Sequence, residues 1–155
     1  MVALVVVVTG CSAEPEPVES SLSWEQAKAM AQAMELRIAR LVPADAVLSI
    51  DQNEKGGFFS SDETRHRWKG ITNVVLVRGT NVEAVTKQLE KQFLEEGDFD
   101  VTNHRGITDK YVVTLKSEGK GEDYLFGEGA PGTILIDSWS ECFTLPEGTY
   151  PGGDF

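Results

Sequence analysis

Cysteine is scarce. The chain has two, Cys11 and Cys142, too few for a disulfide-built scaffold or for a zinc site made from paired Cys-x-x-Cys clusters. Histidine is equally rare: His66 and His104 are the only two, and neither has a companion at helical metal-ligand spacing. Basic residues are outnumbered, 14 against 25 acidic, and the net charge of −11 repels a nucleic-acid backbone or a bare anionic bilayer. No nucleic-acid partner is expected. The longest apolar run, Met1 to Val8, falls far short of the roughly 20 residues that a membrane-spanning helix needs. What is present is an ordinary hydrophobic fraction, 41% of 155 residues, enough for one domain with a core of usual proportions.

The N-terminus carries the one specific signal. The apolar stretch passes through Thr9 and Gly10 to Cys11, the way a secretory apolar segment ends at its cleavage site. Val8-Thr9-Gly10-Cys11 resembles the bacterial lipobox, in which a branched apolar residue and two small ones precede the cysteine that receives diacylglycerol before cleavage. Small residues let the peptidase approach the backbone, and only a thiol can form the thioether. No Lys or Arg precedes Cys11, so the expected start lies upstream, where a positive segment would orient the signal. The competing reading is a buried N-terminal β-strand, which Val5 to Val8 would favour.

Residues 12–21 hold two prolines and three glutamates and have almost nothing to bury. They read as a tether reaching about 30 Å when extended, at roughly 3.1 to 3.5 Å per residue. Every charged residue lies after Cys11, so attachment would come from lipid rather than charge. Two or three acyl chains at about 0.8 kcal/mol per buried methylene suffice. The expected organisation is a signal peptide over 1–10, lipidated Cys11 and its tether over 11–22, one α+β domain over 23–145 and an irregular tail over 146–155.

Ser23-Trp-Glu-Gln26 has the form of a capping box, and Trp24, Ala27, Met30 or Ala31, Met34, Ile38 and Leu41 follow at helical spacing. This predicts a helix over 24–41, stopped before Pro43. A short strand is expected over 46–50, a polar loop over 51–67, and a central strand covered on both faces over 68–77. Thr80-Asn-Val-Glu83 offers a second capping box, and Val82, Val85, Leu89 and Phe93 mark a second helix ending at Gly97. Strands follow at 99–103, 111–116, 124–126 and 133–139. The order α-β-β-α-β-β-β-β predicts the α+β class, with two helices on one face of a mostly antiparallel sheet of about five or six strands.

No constellation carries a reaction. Gly127-Glu-Gly129-Ala-Pro-Gly132 spells a dinucleotide fingerprint, but a strand follows it where a helix is required, so a hairpin turn is the better reading. Asp51, Asn53, Gly56 and Asp62 fall at calcium-loop positions, yet Lys55 stands where an oxygen ligand belongs. Ser138 and Ser140 lack an accompanying nucleophile motif. Asp98 and Asp100 alternate on one strand face, as paired carboxylates or simply as a wet face. Cys142 is either buried as a small hydrophobe or a free thiol.

Taken together, the lipobox around Cys11, the Trp68-Lys-Gly70 strand opening, the helix end near Gly97 and the closing Ser140-Glu-Cys142-Phe segment resemble small lipoproteins or secreted proteins of actinobacteria. Relatives of that kind often carry another cysteine earlier in the mature domain, which this chain lacks. The resemblance implies no activity. The reading is therefore a lipid-anchored envelope protein at the extracytoplasmic face of the cell membrane, acting as a binding or interaction module with an unknown envelope partner. An anchored hydrolase with dispersed catalytic residues is the alternative. No catalytic, cofactor-binding or metal-binding residue is assigned, and the one modification site is Cys11.

Overall fold

Ser23 starts the first helix by closing its capping box: Gln26 N–H donates to Ser23 Oγ at 3.2 Å, and Ser23 N–H donates to Gln26 Oε1 at 3.0 Å. That helix, α1, spans Trp24–Leu41, the expected range. The computed structural model describes residues 22–155; the lipobox at 8–11, Cys11 itself and the tether through 21 lie outside them. The buried stripe of α1 is Ala27, Ala31, Glu35, Ile38 and Ala39. It keeps Ala27, Ala31 and Ile38 of the expected stripe, with Trp24, Met34 and Leu41 partly buried against the core. Of the two alternatives Ala31 is the buried one and Met30 is 44% exposed, and Glu35 and Ala39 join the stripe.

The remaining elements are β1 Val47–Gln52, β2 Gly57–Ser60, β3 Arg65–Leu76, α2 Val82–Glu96, β4 Asp100–Arg105, β5 Tyr111–Lys116, β6 Asp123–Glu128, β7 Thr133–Trp139 and β8 Phe143–Thr144. The class is α+β, as the element order predicts. Its eight-stranded sheet runs β1-β3-β7-β6-β5-β4, with β2 and β8 pairing the first half of β3, and every pairing is antiparallel. After β3, helix α2 carries the chain to the far edge, and β4 to β7 return as three hairpins. Glycines at positive φ serve these turns, including Gly132 at 74° between β6 and β7. The fingerprint-like Gly127–Gly132 segment is thus a hairpin.

Two short strands lie outside the expectation. Segment 51–67, expected to be polar loop, contains β2 and the start of β3, which opens three residues early at Arg65. Phe58 faces Trp68 and Phe59 faces Arg67 across this ladder, so pairing with a long neighbour overrides weak local alternation. Helix α2 begins one residue later than Thr80 would dictate. Thr80 N–H is taken by Val77 O at 3.1 Å in the preceding turn, so Asn81 caps instead, accepting from Ala84 N–H at 3.0 Å. Gly97 ends α2 at φ 74°, as expected.

Both helices cover one face of the sheet. Ile38 and Ala39 of α1 and Val85, Leu89 and Phe93 of α2 form one core with Val74, Val113, Phe126 and Ile136 of the strands. A second cluster joins Ala27, Ala31, Trp68 and Phe143, with Phe58 and Phe155 against it. Phe155 stacks on Phe58 with ring centroids 3.7 Å apart, and its backbone pairs with Gly56 in both directions. This pins the strandless tail to the domain. Strand β3 is central but not covered twice: its burial alternates from Arg67 to Leu76, because successive residues of the apolar run point to opposite sides.

At the turn before β3, Asp62 accepts from Thr64 N–H at 3.0 Å and from Arg65 N–H at 2.8 Å, and its other oxygen takes Arg65 Nε at 2.6 Å. These bonds, the Thr64 amide foremost, lower its pKa to about 2. The contribution of this turn to stability is present above the ordinary carboxylate value of about 4 and is lost as pH falls through the folded value. An NMR titration should place the Asp62 midpoint at about 2 and move it upward in Arg65→Ala. A wild-type midpoint near 4 would reject the arrangement.

Candidate functional site

Residues of β3 at even positions point to the helices, so Arg67, Lys69, Ile71, Asn73 and Val75 point the other way, where no helix lies among the described residues. Register carries that face across the sheet. Lys69 pairs with Trp139, Ile71 with Asp137 and Asn73 with Leu135. Trp139 and Asp137 in turn pair with Asp123 and Leu125, which oppose Lys116 and Thr114 on β5. The result is a flat surface on which apolar side chains alternate with paired charges. Ile71, Leu125, Leu135 and Trp139 are each half-buried although nothing is stacked on them; lateral neighbours on the sheet shield them.

Trp139 is the most tightly held of these. Phe59 meets it edge-on at 5.1 Å between ring centroids, and the Arg67 guanidinium and the Lys69 ammonium lie 5.2 and 5.4 Å from its centroid. Both cations are tied down in turn. Arg67 Nη2 donates to Asp123 Oδ2 at 2.9 Å and to Gly121 O at 2.8 Å, and Lys69 Nζ lies 3.0 Å from Asp137 Oδ1. The two ion pairs keep only a fifth to a quarter of their side-chain surface in solvent, so salt screens them less than exposed pairs.

Three hollows open around this centre. One of about 330 Å³ is lined by Arg67, Thr114, Lys116, Asp123, Leu125 and Trp139. A second of about 160 Å³ shares Leu125 and continues to Val112, Leu135 and Asp137. A third of about 220 Å³ lies beside Phe59, Lys69 and Ile71. A larger notch of about 710 Å³ lies elsewhere, between the end of α2 and the β5–β6 turn. It brings Asp98 and Asp100 together, with Glu118, Glu122, Arg37 and two lysines. Its walls are almost wholly charged, with Phe99 the only large apolar residue, and binding sites are mostly apolar with a few placed polar groups. Within it Arg37 lies 3.9 Å from Asp98, and Glu122 accepts from Tyr124 O–H at 2.7 Å. Burial, then that carboxylate, push the Tyr124 phenol up. The sheet face is the better candidate.

The other residues singled out in the sequence are dispersed. Ser138 donates to Glu35 inside the helix-covered layer, and Ser140 Oγ accepts from Trp68 N–H at 2.9 Å and donates to Glu141 O at 2.8 Å. His66 points into the core side of β3, its Nδ1 buried without a hydrogen-bond partner, while His104 stands exposed on edge strand β4. Neither histidine joins a serine and a carboxylate. Asp51 accepts from Ser49 at 2.9 Å, Asp62 is consumed by its own turn, and among the described residues no group of three or more His, Cys, Asp or Glu could hold a metal ion. Cys142 is half-buried and unpaired, its sulfur against the Ser61 hydroxyl.

Trp139, Leu125, Leu135, Arg67 and Lys69 were not legible as a site beforehand. The available signal was strand 133–139 itself, where Leu135 and Trp139 place apolar residues on the face that Asp137 marks as outward.

Among the described residues these features define a two-layer α+β domain with one sheet face covered by helices and the other open and semi-apolar. No protein-family profile and no curated protein matches the chain. Among solved structures it is similar to the "putative lipoprotein LppA from Mycobacterium tuberculosis", at 13% identity over 83% of each chain and a TM-score of 0.49. That likeness carries no assignment of activity. Among the described residues no helix is long and apolar enough to cross a membrane.

Proposed function

We propose that the chain is a lipid-anchored protein of the cell envelope, attached through Cys11 at the extracytoplasmic face of the membrane, and that its domain is a binding module using the open sheet face. The anchor is supported by Val8-Thr9-Gly10-Cys11 and the acidic Pro/Glu tether that follows. The module is carried by a single observation: Trp139, Ile71, Leu125 and Leu135 alternate with paired charges on a sheet face without a covering layer among the described residues. The tether would present that face to envelope components while the lipid holds the chain in place.

The anchor is tested by intact mass after expression in a bacterial host with the region upstream of Met1 included. Wild type should lose residues 1–10 and gain diacylglycerol on Cys11, and Cys11→Ala should show neither. An unmodified wild-type N-terminus would sink the anchor. The module is tested in cells with a photo-crosslinking residue at Thr114, on the open face, against one at Lys91, on the exposed side of α2. Adducts at position 114 alone are expected; equal or no adducts would refute use of this face.

A further inference from the structure

We infer that the open sheet face receives a neutral polysaccharide, a hydroxyl-rich chain lying across β3, β7, β6 and β5. The inference rests on the binding-module reading above and gives it a ligand class. It begins from shape. The three hollows adjoin: the first and third meet at the Lys69–Trp139 pair, and the first and second share Leu125. The surface is therefore a shallow trough with successive depressions rather than one deep pocket. Such a trough suits a chain of repeating rings better than a single small molecule, which binds where most of its surface can be enclosed.

Charge narrows the class. On this face Arg67 is paired with Asp123 and Lys69 with Asp137. With Lys55, Lys116 and Glu128, which also line the hollows, the trough carries four cations against three carboxylates, close to balance, while the whole chain carries −11. A polyanion meets overall repulsion without a compensating basic patch. A cationic partner meets an excess of cations here, whereas the notch between α2 and the β5–β6 turn has four carboxylates against three cations. An apolar helix laid over the face would strip the remaining water from two ion pairs, a desolvation cost left uncompensated unless new polar partners replace that water.

A neutral polyol meets both demands of the surface. The C–H face of a sugar ring can cover Leu125 and the part of Trp139 that Phe59, Arg67 and Lys69 leave in solvent, and its hydroxyls both donate and accept. They can donate to the carboxylates of Asp123 and Asp137 and accept from Lys69 and Lys116 without disturbing the pairs. Asp137 Oδ1 is buried against Lys69 without hydrogen-bond geometry, so a ligand hydroxyl would donate to the other carboxylate oxygen, on the quarter of the side chain that stays in solvent. Trp139 is already fixed by Phe59, Arg67 and Lys69, so little side-chain entropy remains to be lost on binding.

The test is affinity electrophoresis of the full chain through gels containing dextran, mannan or galactan, with dextran sulfate as the anionic control and amide chemical shifts to map contact. At least one neutral polysaccharide should retard wild type and shift amides of β3, β5, β6 and β7. Trp139→Ala should weaken the interaction by at least about tenfold. Thr114→Arg, which fills the trough without touching the core, should do the same while its circular dichroism stays native. Lys91→Glu should leave retardation unchanged. No retardation by any of the three neutral polymers, retardation kept in Thr114→Arg, or binding to dextran sulfate alone would overturn the inference. So would sheet-face shifts that grow with protein concentration in the absence of polymer, which would identify a second copy as the occupant. Crosslinking at Thr114 in cells without polysaccharide binding would remove the ligand class and leave the module; absence of both would remove the module.

Discussion

Glu35→Ala is expected to lower the free energy of unfolding by about 3 to 5 kcal/mol, a drop on the order of 10 °C in melting temperature for a domain of this size. Glu35 is fully buried and has no cation beside it. Its oxygens instead accept from Thr72 Oγ1 at 2.6 Å, from Gln52 Nε2 at 2.8 Å and from the Ser138 hydroxyl. Alanine removes all three acceptor contacts, leaves three donors facing an apolar gap and opens a cavity, and these losses add. Glu35→Gln keeps the shape and one carbonyl oxygen, and Thr72 and Ser138 can rotate their hydroxyls to accept from the new amide. It should cost only about 1 to 2 kcal/mol. Urea unfolding of the three proteins tests the ordering; equal midpoints for wild type and Glu35→Ala would show that the cluster contributes nothing to stability.

The same cluster explains the glycine in the middle of the central strand. A Cβ at Gly70 would overlap the Trp68 ring, and it would stand 2.5 Å from Glu35 Oε1. The Trp68 indole folds along its own strand over Gly70, beneath Lys28 of α1 at 5.7 Å. The Trp68-Lys-Gly70 segment thus sets how closely α1 approaches the sheet. Its outward residue, Lys69, meanwhile belongs to the open face.

Oxidised Ser61→Cys is expected to be more stable than wild type by about 4 kcal/mol, the entropy removed from the unfolded chain by closing a loop of this length. The residues concerned are 81 positions apart. The Ser61 hydroxyl lies directly against the Cys142 sulfur, so a thiol at position 61 is placed to form the bond with little backbone movement. Thiol titration should find the variant's domain thiols lost under oxidation, and dithiothreitol should return its melting temperature to the wild-type value. Two free thiols after mild oxidation would refute the contact.

Much of the architecture was readable in advance, where local and global preferences agree. The capping box at Ser23, the left-handed stop at Gly97, and strands 111–116 and 133–139 were legible because cap chemistry and hydrophobic period point the same way. The elements missed were those that exist only through a neighbour. Strand β2 has four residues and β8 two, and both are strands because β3 is long enough to pair with them. Asn81 displaced Thr80 as a cap because a turn consumed the Thr80 amide, which helix signals alone do not register.

The sequence by itself determined the α+β class, the two helices and their ends, the turn chemistry and a net charge of −11. It also contains the lipobox-like signal at Cys11, a matter of covalent chemistry at four consecutive residues that needs no fold to be read. Tertiary structure alone decided which side of the sheet is left open. A strand's period places alternate residues on opposite faces but does not say which face the helices will take. With both helices on the even side of β3, Lys69, Trp139, Asp123 and Leu125, separated in sequence by as many as 70 positions, were brought into one surface. Glu35 went into the core by the same choice, because the donors that make its burial tolerable come from β1, β3 and β7 and exist as a group only once the sheet has formed.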